Sequence, residues 1–146
     1  MQKDKFIILV RGLSGSGKTT LADIIVGAAD PEGERRIALS ADDYFTDEQG
    51  AYKFNYEQLS AAHDWCKNEV EACVVEGYDV VVVHNTFTRA WELNPYIEIA
   101  YRHGCKIQIV SLYDGGLSDA QLAGRCVHRI PIGSISAQRK RWENSI

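Results

Sequence analysis

The sequence has no apolar run approaching the ~20 residues that cross a membrane. It also shows no basic-then-apolar leader: Met1-Gln2-Lys3-Asp4-Lys5 runs straight into an apolar stretch. Membrane insertion and export are not expected, and the default compartment is the cytoplasm. Cysteine is sparse and badly placed for chemistry. The four, Cys66, Cys73, Cys105 and Cys126, form no C-x-x-C pair and lack the close His or Asp company of a metal site. Neither a disulfide framework nor zinc is expected. Cys66 and Cys73, seven apart, fall on one face of a helix as small buried groups. Internal repeats, low-complexity tracts and linkers are missing too. So is an excess of positive charge: sixteen Lys/Arg against twenty Asp/Glu leave −4, which does not suit an indiscriminate nucleic-acid binder.

What is present is ordinary in bulk. The 146 residues, 45% hydrophobic and 25% charged, are expected to form one globular domain over 1–146. The charge is uneven, with nine Lys/Arg against seventeen Asp/Glu in residues 1–100 and seven against three in residues 101–146. A basic final third suits a polyanionic partner on one face, or equally a solvated helix surface.

The most specific stretch is Gly12-Leu13-Ser14-Gly15-Ser16-Gly17-Lys18-Thr19, which fits the phosphate-binding loop G-x-x-x-x-G-K-[ST] at every fixed position. Its surroundings agree. Phe6 to Val10 reads as a strand buried on both faces, and Leu21, Ile24, Ile25 and Ala28 recur at helical spacing. Glycines let successive N–H groups curl inward, and the helix N-terminus adds partial positive charge. Gly12, Ser14, Gly15, Ser16, Gly17 and Thr20 are expected to line the cradle for ATP. Lys18 reaches the β- and γ-phosphates, and the Thr19 hydroxyl ligates Mg²⁺.

Strand and helix alternate along the rest of the chain, which predicts a three-layer α/β fold with a parallel sheet. Residues 29–33 read as a loop, Arg36 to Ser40 as a second strand, and Asp79 to His84 as a third. A long helix is expected between the last two, opened by Asn55 with Gln58 in a capping box and closed by Gly77. Asn94-Pro95 predicts an N-cap and first-turn proline for a helix through Tyr101. Lys106 to Tyr113 is a fourth strand toward a sheet edge. Ser118 and Gln121 form a second capping box, for a short helix through Cys126. Ser134 opens a last helix carrying Arg139, Lys140, Arg141 and Trp142.

A phosphate cradle alone does not say what happens to the phosphate. Asp42 follows the second strand, where ligands sit in open α/β sheets; it is placed to take a proton from a hydroxyl, or else to cap a turn. Asp43 is the fallback. The third strand ends in His84-Asn85 and has no carboxylate for Mg²⁺. Asn85 can hydrogen-bond a metal water or the γ-phosphate, and His84 reads as a strand residue packed under the nucleotide. Arg125 and Arg129 share a face if their helix persists, and otherwise are scattered surface cations.

Taken together, Arg11 to Thr20, Leu39 to Phe45, Tyr56 to Trp65, Asn85-Thr86, Thr88 to Tyr96, Leu122 to His128 and Pro131 to Ile135 resemble one family in order. It is the small P-loop kinases related to phage-type polynucleotide 5′-kinase, with kinase-like domains described as AAA-type ATP-binding or zeta-toxin-like. The resemblance implies a central parallel sheet of four or five strands, order 2-3-1-4, and a lid over about 114–133. It implies Asp42 as general base on a hydroxyl, Lys18 and Thr19 on the triphosphate and metal, Arg125 as a catalytic lid arginine, and Arg129 on the phosphates. The acceptor implied is a polynucleotide 5′-hydroxyl or a hydroxyl on a nucleotide or modified base. Phe45 stands where the phage enzymes carry an arginine that grips the acceptor's phosphate, which favours a small-metabolite kinase. The missing carboxylate of strand three favours a slow or non-catalytic nucleotide-binding module.

Overall fold

The computed structural model describes residues 3–28 and 33–144. Most of the loop expected at 29–33 therefore lies outside the described residues. Four strands, β1 (Phe6–Gly12), β2 (Arg36–Leu39), β3 (Val80–Asn85) and β4 (Lys106–Tyr113), form one parallel sheet in the order β2-β3-β1-β4. This is the order expected.

The sheet's two faces are separated by the two-residue period of its central strands. Ile7, Leu9, Val81 and Val83 point into a core shared with α2 (Leu59–Glu76) and α3 (Ala90–His103). Val10, Val80 and Val82 point the other way, against Ala22 of α1 (Lys18–Gly27). Because Ile7 pairs with Val81 and Leu9 with Val83, the two strands feed the same faces in register. A one-residue slip would send every valine to the wrong layer.

The long helix begins later than its first signal. Asn55 accepts the Glu57 N–H and opens a 3₁₀ turn, Tyr56–Gln58, before α2 starts at Leu59. Gly77, at φ 111°, closes α2 as expected. The expected start of α3 at Asn94-Pro95 is corrected to Ala90. Glu92 accepts from both the Thr88 hydroxyl at 2.8 Å and the Arg89 N–H at 3.2 Å, which nucleates the helix a turn earlier. Pro95 then sits inside the helix, where its lack of an N–H removes one backbone bond.

A third, smaller core lies beyond the carboxyl end of the sheet. There α4 (Asp119–Arg125) and α5 (Ile132–Arg141) bring Leu122 and Ile135 onto Leu13. The Ser118–Gln121 capping box is present. The last helix starts two residues before Ser134, behind Pro131, and Trp142 caps its end. Among the described residues no helix is long and apolar enough to cross a membrane.

Candidate functional site

β1 ends in the loop Leu13–Gly17, which turns directly into α1. Gly15 and Gly17 adopt φ of 83° and 107°, a region that costs any residue with a Cβ. At Gly12 a Cβ would run into Ser16 Oγ, and at Gly15 into the backbone carbonyl of Leu122. The first glycine is therefore fixed by the loop's own curl, and the second by α4 lying against it. Ser16 Oγ is buried with no hydrogen-bond partner, a polar group that an anion in the cradle would satisfy. The residues present fit a triphosphate.

Lys18 folds back across the loop, its Nζ donating to the carbonyls of Gly12 at 2.9 Å and Leu13 at 3.0 Å. Burial pulls its pKa down to about 8, against the opposing pull of the Asp42 charge and of Cys126. Lys18 and Asp42 thus share one electrostatic environment. Thr19 is exposed, with its hydroxyl 3.5 Å from His84 Nδ1. Burial lowers the His84 pKa, so the ring is neutral and can act as an acceptor. Thr20 is exposed in the same turn.

Asp42 lies in the 3₁₀ turn Ala41–Phe45 at the carboxyl end of β2. The capping work falls to its neighbours. Ser40 Oγ accepts the Asp42 N–H at 3.2 Å, and Asp43 Oδ2 accepts the Ser40 N–H at 3.0 Å. Burial raises the Asp43 pKa while the bond from Ser40 opposes it. The fallback carboxylate is thus occupied by the backbone, and Asp42 is left exposed with its Oδ1 accepting from the Tyr52 hydroxyl at 3.3 Å. Asn85, expected toward phosphate, is buried and its Oδ1 accepts from Ala41 N at 2.9 Å and Ser40 Oγ at 3.2 Å. In this arrangement its amide holds the Asp42 turn onto β3.

Arg125 ends α4, and Cys126 is extended, so Arg129 does not continue that helix's face. Both arginines are exposed. Phe45 is buried among the rings of Tyr44, Tyr52 and Phe54, and so belongs to the core beneath the site.

Four further residues matter that the sequence pattern did not single out. Gln138 of α5 accepts the Ser14 N–H through Oε1 and donates to Ser14 Oγ through Nε2, both at 3.0 Å. Arg11 is buried one residue before the cradle. It donates to the carbonyls of Phe87 at 2.9 Å, Thr88 at 3.3 Å and Glu143 at 2.8 Å, and stacks 3.8 Å from the Trp142 ring centroid. Phe87 and Tyr113 sit at φ of 46° and 49°, a conformation few non-glycine residues adopt. Their carbonyls accept from Arg11 Nε and from the Leu13 N–H respectively. Arg11 and Gln138 could be suspected from an arginine ending an apolar strand and a polar residue in the last helix. Nothing in the local sequence marks Phe87 or Tyr113.

This cradle of glycines, lysine and threonine between strand and helix has known counterparts. Residues 7–130 match a family described as the AAA domain. The chain belongs to the AAA domain family. Human NEDD4-binding protein 2 is 35% identical over 101 residues, which cover 69% of this AAA domain but 5% of that protein. A chain in a structure of the Pnkp1/Rnl/Hen1 RNA repair complex matches with a TM-score of 0.72 at 16% identity, over 97% of the AAA domain and 45% of the other chain. A gluconokinase from Sinorhizobium meliloti 1021 matches with a TM-score of 0.60 at 18% identity, covering 98% of this chain and 78% of the enzyme. The AAA domain thus has the fold of small P-loop kinases, and it spans less than half of the first two proteins it matches.

Proposed function

We propose that this domain is an ATP-dependent phosphotransferase that moves the γ-phosphate to a hydroxyl. One observation carries the reading: Asp42 is relieved of capping by Ser40 and Asp43 and stands exposed in the electrostatic reach of the cradle lysine. In the reaction the Asp42 carboxylate takes the proton of the acceptor hydroxyl. The acceptor oxygen bonds to the γ-phosphorus, the bond from that phosphorus to the β-bridging oxygen breaks, and ADP leaves. Lys18 exchanges the carbonyls of Gly12 and Leu13 for phosphate oxygens. The N–H groups of Gly15 to Lys18 receive the β-phosphate. Arg125 and Arg129 close on the transferring group as the segment 114–133 covers the site. Thr19, with His84 behind it, would hold Mg²⁺, which when bound neutralises part of the charge on the β- and γ-phosphates.

The acceptor we favour is a polynucleotide 5′-hydroxyl or a nucleotide or modified-base hydroxyl. It is supported by the likeness to a chain of an RNA repair complex and by the motifs after β2 and β3. A small-metabolite kinase is the second reading, favoured by the buried Phe45 and by the likeness to a gluconokinase. The test is transfer of label from γ-³²P-ATP to a panel of 5′-hydroxyl oligonucleotides, nucleosides and sugars. Asp42→Asn is expected to lower transfer by about 10²–10⁴-fold while leaving ATP binding intact. Undiminished transfer would remove Asp42 as the base. Tight ATP binding with no transfer to any acceptor would leave a nucleotide-binding module.

A further inference from the structure

Beside Asp42 lies a contact that joins two otherwise separate parts of the chain. Residues 46–52 form a tight turn: Thr46 bridges Tyr52, the Asp47 N–H donates to Ala51 O at 2.9 Å, and Asp47 Oδ1 accepts from Gln49 and Ala51. The Lys53 N–H donates to Phe45 O at 2.8 Å and anchors the turn's far side. Tyr52 is presented from this frame. Its hydroxyl donates to Asp42 Oδ1 at 3.3 Å, and its ring lies face to face with the imidazole of His128, centroids 3.5 Å apart and planes 8° from parallel. Phe54 lies nearly parallel at 6.4 Å, and Phe45 meets the ring edge-on at 6.2 Å. His128 belongs to the segment between Arg125 and Arg129, the stretch that carries the exposed cations.

We infer that Tyr52 is a positioning residue: it aims the Asp42 carboxylate through its hydroxyl and ties that aim to the segment 114–133 through its stack on His128. The inference rests on the reading of Asp42 as base. When the segment covers the site, His128 caps the Tyr52 ring and the phenol is held against the carboxylate. When the segment lifts, the ring is uncovered and the hydroxyl is no longer held at one angle. Acceptor activation is thereby linked to closure over the donor, which disfavours attack by stray water while the site is open. The hydroxyl is suited to the part. Burial and the Asp42 charge push its pKa well above the ordinary tyrosine value, so it remains a donor at every working pH.

Two substitutions separate the hydroxyl from the ring. Tyr52→Phe keeps the stack and removes the donor; kcat for label transfer to a 5′-hydroxyl oligonucleotide should fall about tenfold with the KM for ATP unchanged. His128→Ala keeps the donor and removes the cover, and should lower kcat similarly; His128→Phe, which restores a flat ring, should recover most of the loss. A readout without turnover accompanies these. Amide exchange at Asp47 and Lys53 should accelerate several-fold in His128→Ala and return toward wild type in His128→Phe. Wild-type kcat in Tyr52→Phe, or equal exchange in all three His128 proteins, would overturn the positioning role. The failure of the base reading looks different. Asp42→Asn with full transfer, or a wild-type chain that labels nothing, removes the base, and the exchange pattern then decides the Tyr52–His128 tie by itself.

Discussion

Lys18 shows how one burial sets two opposite pH responses. Its ammonium is desolvated by the same loop that will receive phosphate, so its pKa falls from 10.5 to about 8. Nucleotide binds to the charged form. Affinity for ATP is therefore expected to hold below pH 8 and to decline by up to tenfold per pH unit above it, which calorimetric titration from pH 6.5 to 9.5 would read. The apo protein should respond in the other sense. Between about pH 8 and 10.5 the unfolded chain holds a proton that the folded chain has released, so this residue's contribution to stability rises with pH there. An ATP affinity flat through pH 9.5 would mean that the lysine is solvated in the free protein. Asn85 illustrates a different economy at this scale. A side chain that could have reached phosphate is taken by the Ser40–Ala41 backbone, and it serves the site by holding Asp42 in place.

At the scale of elements, α4 and the cradle form one packed unit, since the Leu122 carbonyl occupies the space a side chain at Gly15 would need. Gly15→Ala meets both this collision and an unfavourable φ. A loss of roughly 2–3 kcal/mol is expected, read as a fall in Tm of about 5–10 °C with loss of ATP binding. Gly17→Ala shares the φ problem but has open space around it, so the thermal shift should be smaller. Much of this architecture was legible in the sequence, because its causes are local or periodic. Unbroken valines placed β3, the apolar spacing and Gly77 placed α2, and the glycine spacing placed the cradle. The start of α3 was misread because an Asn-Pro pair imitates a helix start, while the true nucleus, Glu92 bridging Thr88 and Arg89, is a three-residue arrangement that only the fold completes. Gln138, Tyr52 and His128 were not legible for a related reason. Each acts across more than ten residues on a partner that local pattern cannot name, and Phe87 and Tyr113 hold backbone angles that their residue type argues against.

For the whole molecule, the open question of the basic final third divides once pairing is known. Arg102 is matched by Glu71, Lys106 by Asp4, and Arg139 by Asp114 and Asp119. Arg125, Arg129, Lys140 and Arg141 are exposed and make no ion pair among the described residues. If the acceptor is an oligonucleotide, these are the cations its backbone would meet. Its KM should then rise with salt, with a log–log slope of about 0.7 for each phosphate contacted, while the KM of a nucleoside acceptor stays nearly flat. Equal salt responses for both would mean that only the terminal nucleoside is bound. The fixing of the cradle from α5 has a further consequence, in time rather than space. Ser14 is gripped by a residue 124 positions away, and Arg11 finds an acceptor 132 positions away. Nearly the whole domain must therefore leave the ribosome before its earliest-made loop is held in shape. Nucleotide cannot act as an early template on the nascent chain; its binding energy rewards only a finished fold, and a partly made chain gains nothing from abundant ATP.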